Sequence, residues 1–85
     1  MSTIALQPAT ETDRHDLERL AALDSAEPLH GDVLLGRVDG ELRAALSFTD
    51  GRVVADPFTR SAQVVELLRA LRHWMEVLAP RSRSN

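Results

Sequence analysis

Val33-Leu34-Leu35-Gly36-Arg37-Val38-Asp39-Gly40-Glu41-Leu42-Arg43-Ala44-Ala45-Leu46-Ser47-Phe48 is the stretch on which the fold turns. Two apolar-rich runs flank Asp39-Gly40, and a loop of this composition suits a type I′ hairpin, whose two central residues both take positive φ. The pattern predicts a strand over 33–38 and a return strand over 41–48. Alternation along the return strand places Leu42, Ala44, Leu46 and Phe48 on one face and Arg43, Ala45 and Ser47 on the other. The second face is small rather than strongly polar, so a helix can cover it and the sheet can be packed on both sides.

Towards the C-terminus, a second turn at Asp50-Gly51 leads into a strand over Arg52 to Ala55, which completes a three-stranded antiparallel meander. Asp56-Pro57-Phe58-Thr59-Arg60-Ser61 follows as a turn rich in N-cap candidates. Val64, Leu67, Leu68, Leu71, Trp74, Met75 and Leu78 then recur at helical spacing, predicting a second helix from about Ser61 to Leu78 that ends before Pro80. Arg81 to Asn85 reads as a short, disordered polar tail after a single domain over 1–80.

Towards the N-terminus, Ser25 to Asp32 holds Pro28 and Gly31 and reads as a loop. Before it, Thr10-Glu11-Thr12-Asp13 offers capping oxygens and early acids, and Leu17, Leu20 and Ala21 follow at helical spacing, so a first helix is expected from about Thr12 to Asp24. Ile4 and Leu6 alternate within Thr3 to Gln7 as in a half-buried strand, closed by Pro8. The expected fold is a small α/β domain of the α+β kind, mostly antiparallel, in the order β-α-β-β-β-α with four strands and two helices.

At 85 residues the chain is too short for two independent cores, and a domain this small is marginal alone. It contains no cysteine, which removes disulfides, thiolate metal sites and a cysteine nucleophile. The net charge of −3, with acids and bases interspersed, argues against nucleic acid as a ligand. All ten basic residues are Arg, a bias that reads as coding pressure rather than selection for guanidinium chemistry, so it is weak evidence for phosphate binding. With no signal-like opening and no long apolar run, the expected location is the cytoplasm, with no membrane partner.

The element order, with the opening Ile4-Ala5-Leu6-Gln7-Pro8-Ala9-Thr10 followed by Asp13 and Leu17, resembles the first half of the GNAT acyltransferase superfamily. The segment Gly36 to Leu46 resembles that family's second and third strands, and Val53-Val54-Ala55-Asp56-Pro57 the end of its fourth. Together these stretches span nearly the whole chain but about half of a typical member. The resemblance implies a half-GNAT-like fold and places the acetyl-CoA pyrophosphate at Arg60, Ser61 and Ala62, where the family carries R/Q-x-x-G-x-G/A. Here that stretch reads Arg60-Ser61-Ala62-Gln63-Val64-Val65, so Arg60 fits while Gln63 and Val65 stand where the family has small residues that let phosphate reach the amides. The chain also has no Tyr, the residue that often serves that family as general acid.

Other candidate residues read more simply as structure. His15, His30 and His73 share no metal-ligand spacing, and His73 with Glu76 fits a solvated helix face. Ser47, Thr49 and Asp50 lack the turn and base that a serine nucleophile requires. No catalytic residue, metal ligand or cofactor is assigned on the first reading, in which the chain is a self-associating or partner-binding module, a homodimer or a subunit beside another protein chain. Its candidate interface is Val64, Leu68, Leu71, Trp74, Met75 and Leu78, a stripe broader than one small sheet needs, and the open edge at strand four offers a second route to pairing. The alternative reading is an acyl-CoA-dependent N-acyltransferase whose site is completed by a second chain, with acetyl-CoA as cofactor.

Overall fold

The computed structural model describes residues 3–78. The hairpin at its centre forms as its loop composition dictates: Asp39 and Gly40 take φ of 52° and 86°, joining β2 (Val33–Val38) to β3 (Glu41–Ser47). Asp39 also ties this loop to the start of the chain, since its carboxylate accepts the Thr3 N–H at 2.8 Å and its own N–H donates to the Thr3 carbonyl at 2.8 Å. β1 (Ile4–Pro8) pairs on the outer side of β2, and β4 (Val53–Ala55) on the outer side of β3. Among the described residues these strands make one antiparallel sheet in the order β1-β2-β3-β4.

One helix covers each face. A 3-10 turn at Glu11–Asp13 runs into α1 (Arg14–Leu23), slightly later than the predicted start at Thr12 because Asp13 turns back to cap the segment. Leu20 and Ala21 of α1, with Leu29 from the following loop, pack on Val33, Leu35, Leu42, Ala45 and Val54. α2 (Ala62–Leu78) lies on the opposite face, where Val64 and Leu68 pack on Leu34, Ala44 and Leu46. The small face of β3 is therefore roofed by α1, and the sheet is buried on both sides.

Leu42 corrects the simple alternation of β3. The register jumps between Gly36, which faces Ala44, and Arg37, which faces Leu42, leaving Arg43 as an extra residue on β3. Such a bulge shifts the side-chain phase by one residue. Leu42 consequently joins the α1 cluster, while Ala44 and Leu46 stay beneath α2 with half-buried Phe48. The extra Arg43 contributes a guanidinium that pairs with Asp56 at 3.2 Å and Glu41 at 2.9 Å, linking β3 to the segment after β4.

Both helix attachments have identifiable anchors. α1 ends with Ser25 at φ 52°, and the Ser25 and Ala26 N–H groups donate to the carbonyls of Ala22 and Ala21, the reversal that terminates many helices. α2 is tied to the β3–β4 turn by Arg72, whose Nε donates to the Phe48 carbonyl at 2.9 Å. The tail expected over Arg81 to Asn85, and Pro80 before it, lie outside the described residues.

Candidate functional site

The segment proposed to receive a pyrophosphate sits where β4 gives way to α2. Asp56 is buried there, and its Oδ1 accepts the Phe58 N–H at 2.8 Å, folding Pro57 and Phe58 into a tight turn. Ser61 closes the turn: its hydroxyl donates to the Asp56 carbonyl at 3.2 Å, while its own carbonyl accepts the Val65 N–H at 2.9 Å. Arg60, Ser61 and Ala62 thus do come together at the first turn of α2, along an open depression of about 540 Å³ that Asp56, Thr59 and Gln63 also line. Helix-start amides and the exposed Arg60 favour an anion. The Asp56 carboxylate on the same wall, already committed to Arg43 and to Phe58 N–H, opposes one.

A second depression, of about 480 Å³, lies between the start of α1 and the loop before β2. Leu17, Leu29 and Val33 form its apolar part, and Arg14, Glu18 and His30 its polar rim. The sequence contains no signal for it, because it is assembled from segments about fifteen residues apart that pack only in the folded chain.

One arginine without an assigned role in the sequence, Arg37, proves to be an organiser. Arg37 of β2 reaches across to α1 and pairs with Asp13 at 2.9 Å and Asp16 at 3.4 Å. The Asp13 carboxyl is held below its ordinary range first by the Thr10 backbone N–H, then by the Thr10 hydroxyl and Arg37, against the opposing effect of burial. These ions are satisfied structural pairs: no buried side-chain polar atom among the described residues lacks a partner. His15, His30 and His73 stand apart on α1, the loop and α2, all exposed, and no cluster of three or more metal-ligating side chains occurs among the described residues.

The candidate interface divides in two. Val64 and Leu68 are 1% and 0% exposed beneath the sheet, so they belong to the core of this chain and are not available to another. Leu71 is half-buried beside them. Met75, Trp74 and Leu78 are exposed, the last two at 60% and 74%, and Leu67 and Val77, outside the expected set, are exposed with them. Helical spacing explains the split: Val64 and Leu68 point down to β2 and β3, while Leu67, Leu71, Trp74 and Leu78, spaced four, three and four apart, run along the adjoining flank. Phe58, exposed at the tip of the turn before α2, is a further apolar side chain the sequence did not mark.

The edge at β4 is not open in the way the sequence suggested. Asp24, just past α1, accepts the outward Ala55 N–H at 3.1 Å, and β4 is only three residues long. A short edge with one of its outward donors already occupied is a poorer template for strand addition. No helix of the described residues is long and apolar enough to cross a membrane. Compared with known protein families, curated proteins and solved structures, the chain matches none.

Proposed function

We propose that this chain is a non-catalytic, GNAT-like binding module of the cytoplasm that works by associating with a protein surface through α2. One observation carries the reading: every residue from His73 to Leu78 is exposed, and Trp74, Met75, Val77 and Leu78 form a contiguous apolar surface there. Scattered apolar residues are normal on a soluble surface, but a contiguous group centred on Trp and Met is characteristic of contact sites.

The alternative reading, an acyl-CoA-dependent N-acyltransferase completed by a second chain, is favoured by Arg60 and the first turn of α2 beside an open depression. A thermal melt with acetyl-CoA separates the two. A ligand held by the native state raises its melting temperature with concentration. The module reading predicts an unchanged melting temperature at millimolar acetyl-CoA; a saturable rise of several degrees, lost in Arg60→Ala, would replace it with the enzyme reading.

A further inference from the structure

The flank of α2 overlooks a part of the sheet that no helix covers. A helix about 10 Å across roofs roughly two strands spaced about 4.8 Å apart, and α2 lies on β2 and β3. Arg72 reaches the β3–β4 turn on one side of the helix, while Met75 sits over the end of the sheet among Pro8, Leu34 and Phe48. The stripe of Leu67, Leu71, Trp74 and Leu78 lies on the side of α2 away from Arg72 and therefore faces β1. Leu6 of β1, level with Gly36 under Val64, and Ile4 and Val38 beyond it under the start of α2 are only half-buried although they pack with the cluster on the α2 face, while Trp74 and Leu78 stand at the other end of the helix, level with and past Pro8. The result is an apolar trough with α2 as its wall and β1 as its floor.

We infer that the occupant of this trough is the α2 flank of a second copy of the chain, a conclusion that rests on the binding-module reading above. A two-fold interface requires one surface to carry both the projecting and the receiving feature. Here the ridge around Trp74 and the trough over β1 adjoin on one surface of the same molecule. Charge permits the pairing: Glu66, Arg69, Arg72, His73 and Glu76 all lie on the other side of α2, and its two Glu and two Arg balance. The area suffices as well. Leu67, Trp74, Met75 and Leu78 expose on the order of 400 Å² per copy, and with the β1 floor a pair of copies reaches the roughly 1,000 Å² that a specific interface should clear.

The test is sedimentation equilibrium of the full chain from low micromolar to several hundred micromolar, with fluorescence of Trp74, the only tryptophan, recorded on the same samples. The expected result is a concentration-dependent dimer whose Trp74 emission shifts to shorter wavelength as the dimer forms. Leu78→Ser, at the exposed end of α2, and Trp74→Ser are each expected to weaken the dimer at least tenfold, while Leu23→Ser, exposed on α1 across the sheet, leaves it unchanged. Circular dichroism of Leu78→Ser checks that the fold survives the substitution. A monomer at every concentration, or a dimer indifferent to both substitutions, overturns the inference. Acetyl-CoA added to the same series distinguishes the two levels: a monomer whose melting temperature ignores acetyl-CoA defeats the homodimer alone, whereas stabilisation by acetyl-CoA defeats the binding-module reading beneath it.

Discussion

Gly36 lies directly beneath Val64. A Cβ on Gly36 would overlap Val64 Cγ1 and stand 3.3 Å from Leu68 Cδ1, so the absence of a side chain on β2 is what lets α2 settle onto the sheet. Its φ is not in the left-handed region, and the requirement is one of space. Gly36→Ala is expected to destabilise the domain by about 1–3 kcal/mol, the usual cost of overpacking a filled core. Val64→Ala in the same chain should recover part of that loss although it is destabilising alone. Urea denaturation of the two single variants and the double variant measures the coupling.

Asp13 should give the domain an acid limb. Its folded carboxyl titrates below the ordinary value of 3.8, so its contribution is complete above that value and is lost as pH falls through the lower folded one. Asp13→Asn keeps the shape but removes the charge facing Arg37, and is expected to cost about 1–3 kcal/mol at neutral pH. The variant's stability should vary less than that of the parent chain between about pH 5 and pH 2. Melting temperatures across that range decide it, and a parallel acid limb in both proteins would assign the effect to other carboxylates.

Asp24→Ala should expose the β4 edge. Without the carboxylate, the Ala55 N–H loses its acceptor, at an expected cost of about 1 kcal/mol, and becomes free to pair with another strand. The variant is expected to aggregate faster on agitation, followed by light scattering, while Asp24→Asn, which retains an acceptor oxygen, stays close to the parent. Equal aggregation of the two variants would mean that charge rather than edge capping protects the chain.

Ser25 offers a gain rather than a loss. It holds φ at 52° where α1 reverses, a conformation that suits glycine far better than a residue with a Cβ. Ser25→Gly is expected to stabilise the domain by about 0.5–1 kcal/mol, read as a shift of the urea midpoint at constant slope.

Local chemistry made much of the architecture legible. Asp39-Gly40 announces its hairpin because the two residues between the strands must themselves adopt positive φ. The apolar repeat of α2 announces a helix because its period is a property of consecutive residues. In both cases the interactions that matter lie within a few positions of each other, so composition and spacing suffice to predict four strands, two helices and their order.

What lay beyond reach depends on residues that meet only after folding. The bulge at Arg43 moves Leu42 to the α1 face through the register of a neighbouring strand, and nothing in the alternation of β3 itself signals it. Asp24 blunts an edge thirty-one positions away in the chain, and Arg37 finds Asp13 twenty-four positions back. The apolar stripe of α2 likewise reads as one surface in the sequence, where Val64 and Trp74 look equivalent. The width of the sheet separates them: β2 and β3 bury Val64 and Leu68, while the flank carrying Trp74 and Leu78 is left over a strand too far away to cover it. Helical periodicity determines which side chains share a face, but only the packing of the other layers decides how much of that face remains exposed.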